Sequence, residues 1–306
     1  MSRAASSQTR GASGTVRAVL AGAIDYAGLF PPSALAMETA LRNYVSYRTS
    51  DDALMLGRFV APAARLTELA DALERIGTSA EKVSVSAVLG ASNAIADLDT
   101  VAAFNARFTG GVATIDSVEA RADRPGAIYE LANKARPALE VFIELPLDGE
   151  LELLVNSVHA AGVRAKIRTG GVTADAFPSA SAVVRFIGAC LDAGVQFKAT
   201  AGLHHPISGT YALTYAPGSP RGTMFGFLNV FLAAAFLHAG MSEDDAARLL
   251  DDRDPSFSFG EHGADWRGHH LDAAQLEATH ARVFGSFGSC SFREPVDELR
   301  AMALLP

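Results

Sequence analysis

Short strand-like runs and longer helix-like runs alternate along the first two-thirds of this chain. The strand-like runs are rich in β-branched and aromatic residues: Val19–Ile24, Met55–Val60, Val83–Leu89, Gly111–Ile115, Leu139–Glu144, Arg164–Arg168 and Val195–Thr200. Between them lie stretches with apolar residues at helical spacing: Ala34–Tyr47, Ala64–Ile76, Ala91–Arg107, Pro125–Ala135, Glu150–Ala161 and Ser181–Ala193. A helix between consecutive strands makes the connection a crossover, and crossovers of this length build parallel sheets. Seven such units in a row, with no early Gly-x-Gly-x-x-Gly turn, predict an α/β fold of the (β/α)8 TIM-barrel class. An open doubly wound sheet is the second choice.

The last third is less regular. A Gly/Pro/Tyr-rich stretch from His204 to Arg221 leads into an apolar helix from Met224. A second helix is expected from Ser242, with Ser242 as N-cap and Asp245 completing a weak capping box. Ser256–Phe259 and Val283–Phe287 compete for the eighth strand. The second is preferred, because the helical segment Pro295–Met302 follows it directly. That choice leaves an insertion at about 240–281, before the last strand of a single barrel domain spanning 15–306. Residues 1–14, rich in Ser, Ala, Arg and Gly, are expected to form a flexible tail.

Of the 26 basic residues four are lysine (Lys82, Lys134, Lys166 and Lys198) and 22 are arginine. Two of the lysines sit in near-matching phrases, Ala161 to Gly170 and Ala193 to Gly202, 32 residues apart. That is about the length of one strand–loop–helix unit. Each phrase puts a lysine near the end of a strand, just before a glycine turn, where catalytic groups gather in a parallel barrel. Lysine can lose its proton and attack a carbonyl; arginine cannot. Free lysine titrates near ~10.4, so a nucleophilic one needs burial or a neighbouring cation. Two lysines on adjacent strands supply that cation, and the more buried is expected to be the nucleophile. The competing account is structural: an interior lysine paired with a carboxylate such as Glu144.

Four consecutive units resemble class I, Schiff-base-forming aldolases of the deoxyribose-phosphate aldolase type. Leu139-Glu140-Val141-Phe142-Ile143-Glu144 resembles that family's fifth strand, an apolar run ending in glutamate. Ala165-Lys166-Ile167-Arg168-Thr169-Gly170-Gly171 resembles its sixth, whose lysine forms the Schiff base. Val195-Gln196-Phe197-Lys198-Ala199-Thr200-Ala201-Gly202 resembles its seventh, whose lysine perturbs the first. Val112-Ala113-Thr114-Ile115-Asp116 offers the strand-four aspartate. The resemblance covers roughly residues 110–202. It implies Lys166 as nucleophile, Lys198 as perturber and Asp116 as proton shuttle. It also implies a turn of Thr169, Gly170 and Gly171 closing over a small carbonyl substrate, with no cofactor. Two departures leave the substrate open. Leu203-His204-His205-Pro206 stands where the family continues its phosphate cradle after Gly202, and Arg168 replaces a small polar residue.

Other candidates surround this core. Arg168 shares a strand face with Lys166; it can hold a substrate carboxylate or phosphate, or pair with Asp116 or Glu144. His204 follows Lys198 on the presumed active face and is a candidate acid/base or phosphate ligand. Ser289, in Gly285-Ser286-Phe287-Gly288-Ser289-Cys290-Ser291, resembles the Gly/Ser-rich end of the family's eighth strand, and Cys290 is a candidate thiol or an inert core residue. Asp25 and Tyr26, after the first strand, are candidate substrate contacts or turn residues. His262, His269 and His270, with Glu261 and Asp265 nearby, match no zinc spacing, so no metal is expected. The alternative functions are a metal-dependent hydrolase or isomerase built from His204, His205 and these later histidines, and a barrel that binds a small molecule without turnover.

The formal net charge of −8 argues against nucleic-acid partners. The most apolar run, Phe225 to Ala239, is too short for a bilayer and contains Asn229 and His238. Its helix is a candidate core element or, around Phe225–Leu237, a candidate homo-oligomer interface. Cys190 and Cys290 make no disulfide framework, and the tail lacks a signal-peptide core. A cytoplasmic protein without membrane partners is expected.

Overall fold

The computed structural model describes residues 14–306 apart from 18, 78–81, 136–138 and 255. The expected tail falls, but for Gly14, outside the described residues. The chain opens as strand–helix units: β1 (Ile24–Tyr26), α1 (Met37–Arg48), β2 (Leu56–Pro62), α2 (Leu66–Ile76), β3 (Val83–Val88) and α3 (Ala94–Arg107). It continues with β4 (Ala113–Arg121), α4 (Pro125–Ala135), β5 (Glu140–Glu144), α5 (Leu151–Ala161), β6 (Arg164–Arg168), α6 (Ala180–Asp192) and β7 (Phe197–Thr200). The rest comprises a hairpin of β8 (Gly209–Ala212) and β9 (Arg221–Met224), α7 (Phe227–His238) and α8 (Glu243–Leu250), then β10 (Phe257–Gly260), β11 (Gly263–Trp266), β12 (His269–Asp272) and α9 (Ala273–Arg282). The last elements are β13 (Phe284–Ser289) and α10 (Arg293–Ala301).

Strands β1 to β7 pair in sequence order, and β13 closes the ring between β7 and β1. Every pairing in the ring is parallel. The fold is therefore a (β/α)8 barrel. Helix α2 illustrates how the sequence builds the outer layer. Leu66, Leu69, Ala70 and Leu73 are buried at helical spacing, and the helix ends where Gly77 takes a positive φ of 62°. Gly162 ends α5 in the same way, at φ 58°. Both glycines turn the chain back toward the next strand without the Cβ clash of other residues.

The eighth strand is Phe284–Ser289, as preferred above; Ser256–Phe259 also forms a strand, but in the separate antiparallel sheet β10–β11–β12. Two expectations about strands need correction. Val19 lies in a helical turn, and the first strand begins at Ile24. Strand β4 runs on from Ile115 to Arg121. Ser242 caps α8, accepting from the Asp245 amide at 3.2 Å, while the Asp245 carboxylate takes the Ser242 hydroxyl and not the cap amide.

The insertion carries α8, the three-stranded sheet and α9. Together with α6 it wraps α7, so that every residue from Phe227 to Phe236 is buried. The apolar surface of α7 is spent inside the chain, not offered as an interface. By length and mean hydropathy the stretch Ala174–Asp192 passes as a bilayer span. In the fold, α6 within it buries Val183, Val184, Phe186, Ile187 and Cys190.

Candidate active site

The interior of such a barrel is ordinarily filled by branched apolar side chains. Here it holds charges. They form one line of alternating sign that climbs from the buried centre toward the C-terminal mouth. Lys198 Nζ lies 2.5 Å from Asp25 Oδ2 and 2.8 Å from Glu119 Oε1. Lys166 Nζ lies 2.8 Å from Glu119 Oε2 and 2.9 Å from Glu144 Oε2. Arg168 Nε continues the line, 3.0 Å from Glu144 Oε1. Three carboxylates thus face three cations. β6 and β7 place Lys166 and Lys198 directly opposite each other in register, which explains why two similar phrases put two amines in one place.

Glu119 is the hub, and the sequence reading missed it. Its position follows from a bulge. Val85 pairs with Ile115 and Ser86 with Ser117, so Asp116 is an extra residue in β4. A bulge reverses which residues face inward. Beyond it Ser117 and Glu119 point into the barrel, where Ser86 Oγ donates to Glu119 Oε1 at 2.8 Å and approaches Ser117 Oγ at 3.3 Å. Burial pushes the Glu119 carboxyl up, but Lys166 and Lys198 more than offset this and hold it well below the usual range. Glu144 is lowered too, with Lys166 and Arg168 outweighing its burial. For Lys198, burial favours the neutral amine, but Asp25 and Glu119 prevail and the net shift is upward. Phe142 completes its surroundings, with Nζ 5.1 Å from the ring centre.

Above this line a cavity of about 230 Å³ opens at the C-terminal ends of the strands. Lys166 and Glu119 form its polar floor, and Phe30, Pro31, Val60 and Val88 part of its apolar wall. Arg168, Gly171, Gly202, His204 and Cys290 also line it. Lys198 does not, since it lies below, clamped between two carboxylates. This separates the two lysines, and not by burial: Lys198 is the more deeply buried, at 1% exposure against 3%, but its two carboxylates hold it charged, and it is Lys166 that reaches the cavity.

Several other candidates are placed elsewhere. Asp116 lies at the N-terminal mouth of the barrel, in a depression with Arg58 and Glu140, and accepts from Arg58 Nε at 2.7 Å. It does not reach the lysines, and Glu119 stands where the shuttle was expected. Asp25 belongs to β1 and not to the loop after it. Its carboxylate also accepts from Ser286 Oγ at 2.9 Å and the Arg58 amide at 2.8 Å, so it anchors Lys198 instead of touching the cavity. Glu144 holds Lys166 and Arg168 from the side. Thr169 is fully buried, its hydroxyl donating to the Ala201 carbonyl at 2.7 Å, and Gly170 lies against the Phe177 ring. Both tie the loops after β6 and β7 together. Ser289 is buried behind the wall, its Oγ 3.5 Å from His204 Nδ1.

The wall opposite the lysine floor carries a thiol and an imidazole. Cys290 Sγ is 3.6 Å from His204 Nδ1 and 3.6 Å from the Tyr215 hydroxyl, and Ser33 Oγ donates to it at 3.1 Å. Tyr215 comes from the β8–β9 hairpin and also donates to Glu294 Oε2 at 2.8 Å. Burial raises the Cys290 thiol, but the neighbouring His204, Ser33 and Tyr215 lower it further, for a net downward shift. His204 moves the other way: burial lowers it, while Cys290, Glu294 and Glu298 raise it and prevail. Cys190 is buried inside α6, where burial alone drives its thiol upward.

The histidines of the last third are dispersed. His269 and His270 lie on exposed β12, and His270 Nδ1 pairs with Asp265 at 2.8 Å. His280 meets the Ala21 carbonyl at 2.8 Å. Among the described residues, His205, Glu294 and Glu298 form the one group whose possible ligand atoms lie within 4.8 Å of each other. Within that group His205 Nδ1 and Glu298 Oε1 are hydrogen-bonded at 2.6 Å. No protein-family model matches the chain, and no curated protein matches it.

Proposed function

We propose that this chain is a lyase of the class I aldolase kind, in which Lys166 forms an imine with a small aldehyde or keto acid. The observation that carries the reading is the position of Lys166: on the floor of a cavity at the C-terminal ends of the strands, its Nζ 2.8 and 2.9 Å from two carboxylates.

Proton bookkeeping explains why two carboxylates suit this chemistry. An ammonium and a carbonyl combine to give an iminium and water. The nitrogen keeps its single positive charge and sheds two protons, both of which end on the departing oxygen. Nζ has to lose its first proton before its lone pair can attack the carbonyl carbon; Glu119 and Glu144 both touch it and are the groups placed to pass that proton, and then the second, on to the oxygen. The charge of the site is the same before and after, and the carboxylates that pair with the ammonium also pair with the iminium. Lys198 is held protonated below and fixes the orientation of Glu119 through Oε1, which leaves Oε2 for Lys166. Arg168 at the mouth offers a guanidinium to an anionic group on the substrate. The apolar wall excludes water from the iminium. The resemblance of residues 139–202 to the strands of Schiff-base aldolases supports the same reading, with Glu119 in place of the aspartate expected at Asp116.

The test is reduction by borohydride in the presence of small aldehydes and 2-keto acids, read by intact mass. A mass increase equal to the reduced adduct, absent in Lys166→Arg, is the expected result.

A further inference from the structure

We infer that Cys290 and His204 form a second covalent site in the same cavity, a thiolate–imidazolium pair that captures the carbonyl carbon of a small aldehyde. The inference does not depend on imine formation at Lys166. It rests on four placements. Cys290 follows β13 directly, at the C-terminal end where barrel active sites lie, and it lines the cavity. His204, from the segment after β7, lines it too and faces Sγ at 3.6 Å. Ser33 Oγ, with one proton to give, lies 3.1 Å from Sγ and 3.0 Å from the Cys290 carbonyl oxygen, so the loop after β1 holds the thiol in place. Glu294 Oε2 lies 3.7 Å from His204 Nδ1, a carboxylate that favours the charged ring.

Sγ and the Glu294 carboxylate both approach His204 Nδ1, so the carboxylate acts by favouring the charged ring, and a charged imidazole beside a thiol is what activates cysteine nucleophiles. The titratable or charged groups facing the pair are Tyr26 from β1, His205 whose ring lies 6.4 Å from that of His204, Tyr215 from the β8–β9 hairpin, and Glu294 and Glu298 from α10. Cys290 is shifted down and His204 up, the directions that favour the charged pair.

The step balances without an oxidant. The thiolate pair forms a bond to the aldehyde carbon, and the carbonyl π pair moves to oxygen. His204 gives its proton to that oxygen. The product is a neutral hemithioacetal beside a neutral imidazole.

Iodoacetamide is the probe, with the same cysteine in the urea-unfolded chain as the standard and peptide mapping as the readout. Cys290 is expected to be alkylated at least about tenfold faster at pH 7 in the folded chain than in the urea-unfolded chain, with a rate midpoint below the ordinary thiol value of about 8.5. His204→Gln should raise that midpoint. Should that variant not fold, Ser33→Ala, which removes a donor to sulfur, should raise it as well. Propanal is then expected to slow the alkylation both in the wild-type chain and in Lys166→Gln. An ordinary-thiol profile for Cys290, or a midpoint that neither variant moves, overturns the inference. So does protection by propanal only where Lys166 is present, a result that would leave the imine reading intact.

Discussion

Replacing Glu119 by glutamine tests the hub of the charge line. The carboxylate is 2% exposed and accepts from Lys166, Lys198 and Ser86. Glutamine keeps the shape but removes one negative charge between two buried ammonium groups, and its amide N–H atoms must face one of them. Breaking a buried pair by losing one partner costs about 3–5 kcal/mol. Unfolding entropy near about 2.1 cal/mol/K per residue gives about 0.64 kcal/mol/K for this 306-residue chain. The melting temperature should therefore fall by about 5–8 °C. Calorimetry at pH 7 measures it directly. A fall below about 2 °C would show that no ionised Glu119 holds the two lysines together, and the reasoning would be wrong at its centre.

Other expectations follow from the same contacts. Asp116→Asn should leave imine trapping at Lys166 unchanged, because its partner Arg58 lies at the opposite mouth; Glu119→Gln should abolish it, and borohydride trapping compares the two. Glu119 and Glu144 are depressed in the folded state, so their stabilisation is complete above the unfolded value of about 4.3 and is lost as pH falls through the folded values. Urea titrations from pH 7 down to pH 3 should show a loss of stability that is smaller in Glu119→Gln. Lys198 is raised, so its contribution is complete below about 10.4 and is lost only as pH rises beyond that. Gly202→Ala should destabilise the chain by about 1–3 kcal/mol, because φ is 74° there and a Cβ would sit 2.8 Å from the Phe177 ring and 3.2 Å from Gly170 Cα; urea unfolding reads the loss.

The barrel was legible because its signal is local and repeated: a strand run, a helix run, and glycines such as Gly77 and Gly162 at the reversals. The two lysine phrases were legible for the same reason, since each carries its own strand and turn. What escaped depends on geometry that spacing does not encode. Counting by twos from Asp116 puts Val118 and Ala120 inward; the bulge reverses this and brings in Glu119. Asp25 read as a loop residue because the first strand was placed too early, and its true partner, Lys198, is 173 residues away. Tyr215 and Ser33 reach Cys290 from a hairpin and a loop that converge only in three dimensions. Strand β10 of the small sheet read as a rival for the eighth strand, since a strand's composition does not say which sheet it joins.

The most direct test is to locate the reduced adduct after borohydride treatment with a panel of small aldehydes and 2-keto acids, by peptide mapping of all four lysines. The account predicts an adduct on Lys166 alone, with Lys198 unmodified beneath it. An adduct on Lys198, or only on exposed Lys82 or Lys134, or none with any carbonyl compound in folded protein, would contradict it.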